Sequence, residues 1–210
     1  MLTGPSRPEA ADGERAPADE RRHAVLTAAV DLCRERGYAA TSLADVAERA
    51  GGTVDDLVRE WSSKAALVIT AFRRVMAAEL RYADTGDFRA DLRAQLSGMA
   101  RLLADPGLGP LLTDLVAEAQ RDRGTALAFA ELVFRPNRAA ARDRFASAQR
   151  AGQVRAGIDL DVAIDLTFAP LWFRFLLRTG PLSAAYAEQV ADAALGGLAP
   201  GPGAAHVTPG

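Results

Sequence analysis

The residues with usable chemistry gather between positions 41 and 64. Thr41, Ser42 and Thr53 stand at the start of apolar runs with helical spacing, and Lys64 opens another. A hydroxyl beside the unpaired N–H groups of a helix start can hold a phosphate oxygen. It can equally serve as a plain N-cap, and one residue can do both. Within 53–61, Val54, Asp55, Asp56 and Arg59 are the positions that could meet base edges. Arginine pairs with guanine, and aspartate accepts from the cytosine N4 amine. The same stretch sets three carboxylates, Asp55, Asp56 and Glu60, against Arg59 alone. A carboxylate about 7 Å from a phosphate costs about 0.6 kcal/mol at a water-like dielectric and about 2 at an effective value of 20. Asp55 is also spaced to pair with Arg59 at i, i+4 and blunt its charge.

Catalytic and metal chemistry are not visible. There is no G-x-S-x-G, no Gly-rich phosphate loop and no His-based triad. His23 and His206 lie near opposite ends of the chain, and Cys33 is the single cysteine. That composition implies no enzyme, no cofactor, no metal site and no intramolecular disulfide. Cys33 reads as a small buried hydrophobe.

The elements that position these groups read as helices. The chain has 210 residues, 49% apolar and 25% charged, with a net charge of −2. Those values fit a folded globular protein and exclude a polycation. Apolar residues recur at i, i+3, i+4 and i+7 between short Gly and Pro punctuations, and period-2 alternation is absent. The fold class is therefore all-α, with about nine helices. Residues 1–19 and 199–210 read as disordered tails, the second holding His206. The N-terminus has no signal-peptide core. The longest apolar stretch, 166–177, is interrupted by Arg174 and is too short to span a membrane. The expectation is a cytoplasmic protein.

The first three helices are expected over 20–36, from Ser42, and from Thr53 to Trp61, with a fourth over 63–82. Ser42 and Asp45 form an S-x-x-D variant of the capping box. Two short helices joined by Gly51-Gly52 have helix-turn-helix spacing, in which the second helix enters the major groove. Short helices with a glycine turn also occur in any helical bundle.

The run AVLTAAVDLCRERGYAATSLADVAERAGGTVDDLVREWSSKAALVITAF, residues 24–72, resembles the N-terminal domain of TetR-family transcriptional regulators. The matching marks are Ala28-Ala29, Arg36-Gly37-Tyr38, Thr41-Ser42-Leu43, Val46-Ala47, Ala50-Gly51, and Ser63-Lys64 before Leu67. The stretch 129–182, with its Arg-Pro, its Ala-Gly turn and its apolar end PLWFRFLLRTGPL, is similar to the ligand domains of that family. The resemblance implies a DNA-binding head over 20–66 and a ligand-binding and dimerisation domain over 67–198. It implies a homodimer on a palindromic double-stranded DNA operator, released when a small effector enters the second domain. Carried over by position, Thr41, Ser42, Thr53 and Lys64 would meet the DNA backbone, and Trp61 would close the head. The recognition segment departs from the pattern. Val58 and Glu60 stand where the family usually has a tyrosine and a histidine, and Val54 stands where a lysine is common. Residues 21–80 carry nine basic and eight acidic side chains. Weak or strongly salt-sensitive DNA binding is the consequence.

Further helices are expected over 87–104, 110–121, 126–151 (with Pro136 kinking it or marking a boundary), 159–178 and 183–198. The helix over 159–178 is apolar nearly all round, which asks for burial on every side. A second subunit is expected to provide that burial, with Ile164, Leu171, Phe175, Val190 and Ala194 as candidate dimer contacts, and the resemblance agrees; the alternative is a fully buried core helix in a monomer. Candidate pocket residues are Phe72, Met76, Met99, Leu103, Leu115, Phe129, Val133, Phe168 and Trp172. No charged anchor stands out, and Arg135 and Arg138 read as a solvated face. The effector is then neutral or hydrophobic. A competing reading keeps the architecture as a small-molecule-binding or interaction protein with weakened or lost DNA recognition.

Overall fold

The computed structural model describes residues 10–200. Residues 1–9 and 201–210 lie outside the described residues, including His206 and most of the expected C-terminal tail. All regular structure in the described residues is helical. The elements are α1 (Ala10–Arg36), α2 (Leu43–Ala50), α3 (Val54–Trp61), α4 (Lys64–Glu79), α5 (Phe88–Ala104), α6 (Leu108–Ala119), α7 (Arg123–Phe129), α8 (Arg135–Arg150), α9 (Leu160–Leu177) and α10 (Ala184–Leu198). A π-helical turn, Ala130–Phe134, joins α7 to α8. Phe129, Ala130, Phe134 and Arg135 all keep right-handed helical angles, so these pieces form one rod. Counted that way, nine helices are present among the described residues.

One expectation shifts. Helix α1 begins at Ala10, not near residue 20. Ala10, Ala11, Glu14 and Ala16 are good helix formers, but Gly13 and Pro17 oppose a helix, so propensity does not explain the extension. Pro136, expected to kink the helix or mark a boundary, marks one: it sits in the first turn of α8 just after the π turn. Proline lacks an N–H and crowds the preceding turn. The wider π turn absorbs that defect without ending the rod. Asn137 Nδ2 donates to the Val133 carbonyl at 2.9 Å, satisfying an acceptor at the irregularity.

The head packs α1, α2 and α3 around Leu26, Ala29, Cys33, Val46, Leu57 and Trp61, all buried. Each helix start is capped by the hydroxyl the sequence offers: Ser42, Thr53 and Ser63 accept from the backbone N–H groups of Asp45, Asp56 and Ala66. Gly51, at φ 70°, closes α2 in the left-handed region that favours glycine. Helix α4 leaves the head and runs into the body, where it packs against α7 and the π turn. The position expected to divide the two parts, 66/67, lies inside α4, so this rod belongs to both. The body buries Phe72, Phe88, Leu96, Leu111, Leu115, Phe145 and Leu171. Fully burying one such side chain is worth about 1.5–3 kcal/mol. The body also buries an ion pair: Arg144 Nη2 donates to Asp91 Oδ2 at 2.7 Å, both side chains under 8% exposed.

Candidate nucleic-acid interface and effector cavity

Helix α3 presents a face to solvent because its apolar residues are few and spaced one turn apart. Leu57 and Trp61 point into the head; Thr53, Val54, Asp55, Asp56, Val58, Arg59 and Glu60 are exposed. Thr53 accepts from the Asp56 N–H at 3.2 Å, and its hydroxyl donates to Asp56 Oδ2 at 2.7 Å. That hydroxyl bond, with Arg59 nearby, holds the Asp56 carboxyl below its usual range. Arg59 pairs with Asp56 at 3.1 Å, an i, i+3 contact. The expected i, i+4 partner, Asp55, is not the one chosen, because the Asp56 carboxylate is already fixed by the Thr53 cap. Glu60 is paired with Arg22 of α1, whose guanidinium also lies 5.3 Å from the centroid of the Trp61 ring.

Helix α2 carries the reciprocal capping box. The Ser42 N–H donates to Asp45 Oδ2 at 2.7 Å, and the Asp45 N–H donates to Ser42 Oγ at 3.2 Å. The Ser42 bonds and Arg36, 2.6 Å away, lower the Asp45 pKa to about 2. Ser42 remains exposed, whereas Thr41 is 2% exposed and donates to the Gly37 carbonyl at 2.9 Å. Thr41 is therefore a loop tie whose hydroxyl is buried; the Ser42 and Thr53 hydroxyls also donate, to Asp45 Oδ2 and Asp56 Oδ2, but they lie in water. Lys64 is half-buried, and its Nζ donates to the carbonyls of Tyr38 at 2.9 Å and Thr41 at 3.0 Å. Two of its three donors are thus spent inside the head.

A cavity of about 300 Å³ opens in the body beneath α4. Of the candidate pocket residues, Met76, Met99, Leu103, Val133, Phe168 and Trp172 line it. Phe72, Leu115 and Phe129 do not: they are 0%, 0% and 3% exposed and fill the core behind it. Polar groups also reach the wall, namely Tyr82, Gln95, Asn137, Arg138 and Asp165. Burial pushes the Tyr82 phenol up to about 12 despite a bond to Gln95. Arg138, read from sequence as a solvated face, keeps 41% of its side chain exposed and also bridges α8 to α9 at the cavity wall, 2.6 Å from Asp165 and 3.3 Å from Asp161. Arg135 does stay exposed and pairs with Glu131.

Helix α9 has two apolar faces. Ala163, Ile164, Thr167 and Leu171 face inward; Val162, Leu166, Phe173 and Leu177 are 52%, 66%, 58% and 60% exposed. Leu171 is fully buried and Ile164 lines the cavity, so neither has surface to give a second subunit. Val190 and Ala194 line a groove of about 450 Å³ between α9 and α10, and Phe175 is half-buried beside Trp172.

Comparison with known proteins decides the family. Residues 25–71 match the model for bacterial regulatory proteins of the tetR family, and residues 82–194 match the tetracyclin repressor-like C-terminal domain. The chain belongs to the TetR family of transcriptional regulators. The crystal structure of the TetR family regulator SCO0332 is 31% identical, covers 86% of this chain and 100% of that chain, and superposes with a TM-score of 0.78. The HTH-type regulator YdeS of Bacillus subtilis is 29% identical over 87% of this chain and 92% of its own length. The activator FasR of Mycolicibacterium smegmatis is 29% identical over 76% of this chain and 75% of its own length. FadR of Bacillus subtilis, solved with stearoyl-CoA, shares the fold at a TM-score of 0.63 and 17% identity, over 84% of this chain and 98% of that one.

As a TetR-family regulator the chain binds DNA through its helix-turn-helix and is not an enzyme. No helix among the described residues is long and apolar enough to cross a membrane. Sequence reasoning passed over Tyr82, Gln95, Asn137, Arg138 and Asp165 in the cavity wall. One signal was available: Asp161 and Asp165 lie one turn apart on one helix, acidic partners for an arginine on the helix before it.

Proposed function

We propose that this chain is a ligand-responsive repressor that binds a palindromic operator as a homodimer and is released by a neutral or hydrophobic effector. One observation carries the reading. Helix α4 begins with Lys64, which ties the head together, and about three turns later Met76 lines the cavity. An occupant that displaces Met76 tilts a rod whose other end holds the reading head. The exposed stripe Val162, Leu166, Phe173 and Leu177 supports a dimer through α9 and α10, with the groove beside Val190 and Ala194 receiving the partner's helix. Ser42, Thr53 and the third donor of Lys64 remain candidates for phosphate contact; Val54, Asp55, Asp56 and Arg59 are the candidates for base contact. The cavity is mainly apolar, which favours the effector class named.

The test is selection of a binding site from a random duplex pool, followed by gel shift at low and moderate salt. A two-fold symmetric site, with half-sites spaced for successive major grooves, is the expected result. No specific complex at any salt, with the dimer intact, would sink the proposal. FasR is named an activator, so a reporter fused to the selected site fixes the direction of control.

A second reading, an effector-binding protein with weakened DNA recognition, has one observation in its favour. Arg22, Arg36, Arg49 and Arg59 of the head each engage a carboxylate. Cations shared in this way give a polyanion less to bind. The same gel shift separates the two readings.

A further inference from the structure

We infer that α3 obtains its sequence discrimination by seating Val54 and Val58 against the C5-methyl groups of thymines in the major groove. This rests on the operator-binding reading above and specifies the chemistry of its recognition face. Val54 and Val58 are 39% and 45% exposed. Among the described residues of the head, they are the large hydrophobics left in water. Neither is needed for folding, since Leu57 and Trp61 supply the buried side of the same helix. They stand one turn apart, flanked by exposed Asp55 and Arg59. Side chains at i, i+4 are about 5–6 Å apart, which spans roughly two base-pair steps.

Valine has neither donor nor acceptor. Of the groups the four bases expose in the major groove, the thymine methyl alone rewards it. Facing an amine or a guanine O6, the same side chain strips water from a polar group and returns no bond. The discrimination therefore needs no cation, and free positive charge is what this helix lacks: its one arginine, Arg59, is shared with Asp56.

The experiment uses the full chain and the duplex selected from the random pool. Each thymine is replaced in turn by deoxyuridine, which removes the methyl and keeps every hydrogen-bonding group. Wild type should weaken about fourfold at each contacted thymine, the order expected for one methyl removed from apolar contact. Two such positions per half-site are expected, about two steps apart, and the salt slope should not change. Val58→Ala should become indifferent to uridine at one position, and Val54→Ala at the other. Equal binding of thymine and uridine duplexes by wild type overturns the inference. So does a uridine penalty that persists in the double valine variant, which would place the methyl effect in DNA shape. Failure to form any specific complex overturns the operator reading itself and this inference with it.

Discussion

The ammonium of Lys64 lies 4.0 Å from the centroid of the Tyr38 ring and 2.9 Å from the Tyr38 carbonyl oxygen. One residue at the foot of α4 thus grips the loop between α1 and α2 by its backbone and by an aromatic face. Tyr38 is buried, and that burial pushes its phenol up to about 12, so it stays neutral at any working pH. The second carbonyl, of Thr41, belongs to the residue just before the α2 cap. The Lys64 side chain thus links α4 to the start of α2 through two hydrogen bonds.

Lys64→Met tests whether this grip is the residue's main work. The substitution keeps an apolar stem and removes the donors. It takes the Lys64 donor from the Thr41 carbonyl, while the Tyr38 carbonyl keeps the Thr41 N–H at 3.2 Å, a cost of about 1–3 kcal/mol. A urea melt should show a lower midpoint with an unchanged m-value. The slope of log affinity against log salt should stay near the wild-type value. Loss of one phosphate contact would reduce that slope by about 0.9. A reduced slope with unaltered stability would make Lys64 a DNA contact instead of a clasp.

The electrostatics of α3 give a second prediction. Glu60→Gln releases Arg22 and removes a carboxylate from the outer face. Affinity for the selected duplex should rise about threefold, corresponding to about 0.6 kcal/mol for one carboxylate near a phosphate in water. Replacing Asp55 and Asp56 by Ala has two distinguishable outcomes. Weaker discrimination between sites would show that a carboxylate reads a base; tighter binding with discrimination intact would show plain repulsion. Asp56→Ala also removes the partner of the Thr53 hydroxyl, so a thermal melt accompanies the titration.

Much of this architecture was legible in the chain, because helix starts, stops and buried stripes are local. Ser42, Thr53 and Gly51 do what their types and spacing suggest. What was not legible is which way a doubly apolar helix turns. Leu166 and Leu171 are equally apolar in sequence, yet one is 66% exposed and the other fully buried. Only the packing of α9 against α5, α8 and α10 decides between them. Thr41 and Ser42 pose the same problem for adjacent polar residues: a one-residue step across the cap puts one hydroxyl inside and the other in water. The partners of the half-solvated Arg138, Asp161 and Asp165, were not legible because they lie more than twenty residues away.

The buried pair Arg144–Asp91 gives a third prediction. Burial alone would raise the Asp91 pKa, but bonds from Thr85 and Arg144 outweigh it and hold the carboxyl below its usual range. Arg144 Nε also donates to the Ala83 carbonyl at 2.9 Å, next to Tyr82 of the cavity wall. Asp91→Ala leaves the buried guanidinium with Asp84, 3.5 Å away, and the Ala83 carbonyl, and should cost about 3 kcal/mol, the low end for a broken buried pair. Acid should act in the same direction. Asp91 and Asp45 both titrate lower in the folded chain than in the unfolded one. Their stabilisation is complete above the ordinary carboxylate value of 3.8 and is lost as pH falls through the folded value, about 2 for Asp45. Chemical melts between pH 5 and pH 2 check the sign: stability that rose on acidification would contradict both assignments.

The last prediction separates the two faces of α9. Leu166→Glu places a charge on the exposed stripe, where the protomer makes no use of the side chain. Its circular dichroism and melting temperature should match a folded protomer, while light scattering after gel filtration should report a monomer where wild type reports a dimer. Binding to the palindromic duplex should fall with it, because a single head loses the gain from tethering two half-sites, which can reach 10²-fold or more. Leu171→Glu buries the same charge in the core, which should unfold the body without producing a folded monomer. A Leu166→Glu protein that remains dimeric and keeps its DNA affinity would move the subunit contact away from α9. A folded, dimeric Leu171→Glu protein would reverse the inner and outer faces assigned to that helix.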